Sequence, residues 1–213
     1  MDFVESKFYI IDEGQQVHYK DFILRTLMKS FTTAGDLYAD DLYFIFPFTN
    51  QALALLAGIE NAFFSRNFLS TAILTRSLID CVMSLVYITQ VSTDDYQAFL
   101  DEFRRSGELT KRTSEKKKCK RLTGKDLTDV FLKNTGINLM NSYKQLSKMV
   151  HSTIFHMHAN TKLVSDTDNA FELAIVGERL EYPQRLYDEL RDIIEVCINT
   201  IEWVLKSSYT QYE

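Results

Sequence analysis

Apolar residues along this chain recur mostly at helical spacing, and strict alternation is rare. Between Val17 and Ala39, Phe22, Ile23, Thr26, Leu27 and Phe31 fall on adjoining faces of a predicted helix, and Gly35 with Asp36, Asp40 and Asp41 marks a break after it. A second helix is expected from Leu42, or from just after Pro47, to Phe64, because proline is tolerated in a first turn and poorly beyond it. Ser65, Arg66 and Asn67 are too few for a crossover, so a third helix from Phe68 to Gln90 must fold back antiparallel on the second. The run from Ser92 to Asp95 reads as the cap of a fourth, amphipathic helix that buries Phe99, Leu100 and Phe103 and stops at Gly107. Thr123 or Asp126 caps a short helix ending near Asn134. A longer one runs from Ile137 to about His158, with Leu139, Met140, Tyr143, Leu146, Val150 and Ile154 on its stripe.

Near the C-terminal end, Leu186, Leu190, Ile193, Cys197, Ile201 and Leu205 define a last helix after Pro183. Strands are admitted in one place, residues 162–176, where two short apolar segments flank the turn formers Asp166 to Asn169; a helix over Ala170 to Val176 fits nearly as well. The expected fold is all-α, a helical bundle centred on a long apolar antiparallel hairpin, with at most one small β-hairpin. Seven glycines and two prolines in 213 residues leave too few turn formers for a sheet-rich fold, and no linker-like stretch divides the chain, so one domain over 1–213 is expected.

Leu42 to Ile59 carries no charge for eighteen residues, the length at which a membrane span is considered. Pro47, Thr49, Asn50 and Gln51 interrupt it, and Arg76 and Asp80 sit in the next apolar segment, where charge is costly in lipid; a protein core is the expected medium. Cys81, Cys119 and Cys197 are odd in number and widely spaced, against both a disulfide framework and a zinc site, and the acidic N-terminus is unlike a signal peptide, so the expected location is cytoplasmic.

Charge is distributed unevenly. Residues 104–125 hold ten Lys or Arg against Glu108 and Glu115, a balance of +8, while the rest of the chain carries −13. Lys111, Arg112, Lys116, Lys117, Lys118, Lys120 and Arg121 are therefore candidate contacts for RNA or another polyanion, on a loop or arm. No aromatic residue interleaves this run to stack on bases, so backbone-directed, salt-sensitive contact is expected.

Two polar patterns fall inside helices. Arg76 and Asp80, at i and i+4, share one face of the third helix and can pair, either as a brace or as the lining of a polar pocket. Lys144, Ser147 and His151 share a face at i, i+3 and i+7, and a histidine beside a hydroxyl and a cation can act as acid or base near neutral pH; a purely structural hydrogen-bonded histidine fits as well. His151, His156 and His158 are five, two and seven residues apart, which is not chelate spacing on a helix, so no metal and no cofactor are expected even with Asp166 and Asp168 downstream.

Leu55, Gly58, Leu69, Ala72, Leu74, Arg76, Ser77 and Asp80, with Tyr143, Leu146, Ser147 and His151, resemble the two motifs of an uncharacterised bacterial family of helical proteins, itself similar to the HEPN class of helical bundles. That resemblance implies a homodimer in a defence or stress system, acting as a nucleic-acid- or ligand-associated module or as a metal-independent ribonuclease. In the latter case His151 serves as general acid/base, with Arg76, Asp80, Tyr143, Lys144 and Ser147 around it. The HEPN motif places an arginine four to six residues before its histidine; here Lys144, with six residues between, is the only cation on that helix that could substitute, and Arg76 the one that could reach from the hairpin. A purely structural or protein-interaction bundle is the third possibility.

Overall fold

The computed structural model describes the backbone of residues 9–12, 15–34, 39–112, 119–150, 161–165, 170–173 and 184–210. Among these, seven helices and three two-stranded hairpins follow one another. The hairpin β1 (Tyr9–Asp12) and β2 (Gln15–His18) leads into α1 (Tyr19–Ala34). Helices α2 (Ala39–Phe64), α3 (Phe68–Ile88) and α4 (Thr93–Ser106) follow, then β3 (Thr110–Arg112) with β4 (Cys119–Arg121). After α5 (Gly124–Thr135) and α6 (Met140–Val150), the hairpin β5 (Thr161–Ser165) and β6 (Ala170–Leu173) precedes α7 (Gln184–Thr210). The chain is thus an all-α bundle with small β-hairpins, one of them at the expected 162–176 position.

Helix α3 is the axis. It packs against α2, α5, α6 and α7, so Ala72, Leu78, Ile79, Val82, Met83, Leu85 and Val86 are all buried, although they face different ways. Full burial of a Leu, Ile or Val contributes about 1.5–3 kcal/mol, and a helix with four neighbours has almost no face left for polar residues. That accounts for its membrane-like composition: α3 is the one described helix long and apolar enough to cross a bilayer, and 67% of that window is buried inside the protein. Helices α2 and α3 approach closely where Gly58 meets Leu74; a Cβ on Gly58 would lie 3.2 Å from Leu74 Cδ1.

Helix ends follow local chemistry. Asn67 caps α3 by accepting from the Ser70 N–H, Ser92 caps α4 through the Asp95 N–H, and Gly107 and Gly136 close α4 and α5 in the left-handed conformation. The tight turn between α2 and α3 places Arg66 at φ 51°. Tyr187 of α7 secures it, donating from its hydroxyl to the Arg66 carbonyl at 2.8 Å while its ring meets Phe63 and Phe68 edge-on, with centroids 5.2 and 5.5 Å away.

One expectation needs correction. Helix α2 starts at Ala39, ahead of both proposed starts, and carries Pro47 in its interior. Nearby, the Thr49 hydroxyl and the Cys81 thiol add donors to the Ile45 and Phe48 carbonyls, at 2.7 and 3.0 Å. Strands Tyr9–Asp12 and Gln15–His18 pair as a hairpin of which the helical spacing gave no sign, and the described parts of the basic 104–125 segment include the end of α4 and the paired strands β3 and β4. Strands of three or four residues are too short to show a period.

Candidate functional site

Helix α6 amphipathically covers one side of α3, burying Leu146, and this brings Tyr143 and Ser147 over Arg76. Arg76 donates from Nε to Ser147 Oγ at 2.8 Å and from Nη1 to Asp80, and its guanidinium carbon lies 3.6 Å from the centre of the Tyr143 ring. Ser147 in turn donates to the Tyr143 carbonyl at 2.7 Å. The arginine side chain is 15% exposed and Asp80 46%, so the pair lies at the edge of the core with its aspartate toward water. Four of the expected residues, Arg76, Asp80, Tyr143 and Ser147, therefore meet.

Arg76 here has an edge donor on a hydroxyl, another on a carboxylate, and a face on an aromatic ring, the three kinds of contact for which guanidinium is suited. Such an arginine fixes the register of α6 on α3 across 71 residues of sequence. Burial raises the Tyr143 phenol above its ordinary value; the Asp80 charge adds to this and Arg76 opposes it. Tyr143 thus stays protonated at neutral pH, a hydrogen-bond donor and not a base. Lys144 is exposed, outside the cluster. His151, the acid/base expected from sequence, lies outside the described residues, as do His156, His158, Asp166 and Asp168. No group of three or more metal-ligating side chains occurs among the described residues. Burial pushes the Cys81 thiol up to about 12 and raises that of Cys197, which removes both as nucleophiles at neutral pH.

The basic segment forms a second constellation. In the β3–β4 register Lys111 stands opposite Lys120, a repulsive like-charge pair in an antiparallel ladder. Asp126 offsets it by accepting from Lys111 Nζ on one carboxylate oxygen. Its other oxygen accepts from the Thr123 N–H at 2.9 Å and the Thr123 hydroxyl at 2.7 Å, completing a capping box at the start of α5. These bonds hold the Asp126 carboxyl well below the usual carboxylate range, the Lys111 bond foremost. Arg121 pairs with Glu108 at 3.1 Å. Lys120 is exposed, whereas Lys116, Lys117, Lys118 and the Arg112 side chain lie outside the described part of the arm.

One contact joins the two constellations. The Tyr143 hydroxyl sits against the first residue of α5, so close that a Cβ at Gly124 would fall 2.2 Å from the phenolic oxygen. A continuous set of contacts then runs from Arg76 through Tyr143 and Gly124 to the Asp126 cap and Lys111. The sequence offered Asp126 as a helix cap, but no spacing points to its pairing with Lys111, or to Gly124 or Tyr187 as parts of these arrangements. The same holds for the His18–Glu60 pair, 3.2 Å apart, which ties the start of α1 to α2 across 42 residues. Comparison of the chain with known protein families, curated proteins and solved structures finds no match to any of them.

Proposed function

We propose that this protein is a nucleic-acid-associated helical bundle in which the core is a scaffold and the β3–β4 arm is the polyanion contact. The observation that supports it most is the separation of charge: +8 within residues 104–125, a segment that includes strands β3 and β4, the first tied to α5 through Lys111 and Asp126, against −13 over the rest. A basic arm on an acidic body attracts a polyanion to one place and repels it elsewhere. The proposed setting in a bacterial defence or stress system rests on the family resemblance, the proposed cytoplasmic location on the spacing of the three cysteines and the acidic N-terminus, and the proposed homodimer on the resemblance together with 15 Phe and 11 Tyr; a monomer by light scattering at micromolar concentration would remove the dimer.

The test is binding of a labelled RNA at several salt concentrations. Affinity should fall steeply between about 50 and 200 mM salt, and replacing Lys116, Lys117, Lys118 and Lys120 by alanine should lower the slope of log affinity against log salt by roughly 0.7–0.9 for each phosphate no longer neutralised. Absence of any shift at low salt with RNA and DNA alike defeats the reading.

A second reading, a metal-independent ribonuclease, is favoured by the Arg76–Ser147 bond, which brings a cation from α3 to the α6 residue four positions before His151. It requires cutting of RNA in the presence of a chelator and loss of cutting in His151→Ala; equal RNA half-lives with both proteins would end it.

A further inference from the structure

Beside the arm, between the end of α3, α4 and β3, lies a cleft of about 270 Å³ open to solvent. Tyr87, Val91, Ala98 and Phe99 form its apolar lining, and Gln90, Ser92 and Asp95 its polar edge. Its remaining wall is β3 itself, through Thr110 and Lys111. That wall is held in place: the Tyr87 hydroxyl donates to the Thr110 carbonyl at 2.9 Å, the Leu122 N–H donates to the Leu109 carbonyl at 2.9 Å, and Asp126 holds Lys111. Sites for drug-sized ligands run to roughly 300–1,000 Å³, so this one suits a single flat ring system.

We infer that the cleft receives one unpaired nucleobase of a strand whose phosphates lie along the arm, so that the protein selects single-stranded over duplex nucleic acid. The inference rests on the polyanion reading and adds what that reading lacks. The basic run has no aromatic of its own, and the fold supplies the half-buried Tyr87 ring next to the strand that carries Lys111, backed edge-on by the buried Phe99 with ring centres 6.1 Å apart. At the rim the Gln90 amide donates to Thr89 Oγ1 at 3.3 Å and Asp95 accepts from the Ser92 hydroxyl at 3.1 Å, so what this edge presents is carboxylate and amide oxygens, acceptors that suit the exocyclic amino group of a base. Lys111, with Lys120 across the ladder from it, places positive charge where the sugar–phosphate chain would leave the cleft. In a duplex, stacking and pairing keep every base from such a site, and extruding one costs a few kcal/mol. A splayed single strand does not incur that cost.

The experiment compares fluorescently labelled 12-nucleotide single strands, RNA and DNA of one mixed sequence, with the corresponding duplexes at one salt concentration, using full-length protein. Gln90→Trp covers the mouth from an exposed position, and Ala98→Trp fills the interior. Each should weaken single-strand binding about tenfold, the loss of one stacked base, equally for RNA and DNA, and leave duplex binding unchanged. The lysine-to-alanine arm variant should weaken both. Thermal melting checks that each variant folds, and Gln90→Trp alone suffices if Ala98→Trp does not. Tighter parental binding to duplex, or a folded Gln90→Trp protein with parental single-strand affinity, overturns the cleft assignment and leaves the arm standing. Failure of the parent to bind any of the four probes removes the arm reading and this inference with it.

Discussion

Asp80 and Asp126 each neutralise one cation, Arg76 and Lys111, yet the two pairs have opposite consequences. Arg76 is almost enclosed, and the contacts it makes among the described residues, with carboxylate, hydroxyl and ring, come from α3 and α6. Lys111 is 39% exposed on a short strand and has a flexible stem whose carboxylate partner a phosphate can replace. The inner pair sets helix register. The outer one holds a strand in place while leaving its charge within reach of solvent. Position and geometry decide which cation can serve a ligand; the charges are the same.

Breaking the inner pair should have the largest effect. Arg76→Ala leaves Asp80 able to rehydrate but removes the bridge to Ser147 and the cover over Tyr143, for an expected loss of about 2 kcal/mol in urea unfolding. Arg76→Lys should recover little, since an ammonium cannot make the edge and face contacts together. A loss under about 0.5 kcal/mol in Arg76→Ala would mean the cluster is not a brace.

Next is the joint between the pairs. Gly124→Ala puts a methyl group where the Tyr143 oxygen stands, and displacement of either α5 or the ring should cost about 1–1.5 kcal/mol in thermal unfolding. Unchanged stability would show that the two constellations are independent.

At the outer pair, Asp126→Asn should cost about 1 kcal/mol near neutral pH through the weakened cap and the missing ion pair. Because the folded Asp126 pKa is depressed, its stabilisation is present above the unfolded carboxylate value near 4 and disappears as pH falls through the lower folded value. The gap between parent and Asp126→Asn should therefore narrow below about pH 4 in acid titrations followed by circular dichroism. A gap that widens on acidification contradicts the assignment. The smallest change is expected for Lys111→Met: within about 0.5–1 kcal/mol of parental stability, but with a shallower salt dependence of RNA binding. A large stability loss there would place Lys111 with Arg76, as a structural cation.

The fold was legible in the sequence where the signals are local. Ser92, Thr123, Gly107 and Gly136 act within one turn of themselves, and the spacing of Leu186 to Leu205 is that of one helix face, so helices α4, α5 and α7 were readable within a few residues. Pro47 misled because a proline's cost is set by what surrounds it, and the burial of Ile45, Thr49, Ala52 and Leu56 in the same helix is a tertiary gain that its local cost does not reveal. The β3–β4 hairpin was hidden by its charge, since Lys111 facing Lys120 is unfavourable until Asp126, at the start of the next helix, is brought to it. Of the candidate site, Arg76 and Asp80 could be paired from their spacing. Their meeting with Tyr143 and Ser147 is a tertiary event that only the family resemblance suggested, and Gly124 gave no sign at all, because the want of a side chain carries no pattern.

The hydrogen bond from Tyr187 to Arg66 spans 121 residues, and α7 also covers α3 and α1. On the ribosome, α2 and α3 emerge and can pair early, but their outer apolar surface waits for the last helix. At about 5–20 residues per second that wait is on the order of ten seconds, ample time for a nascent chain to find the wrong neighbour. Yield in cells should accordingly depend on chaperone supply and translation rate more than the folded protein's own melting temperature suggests.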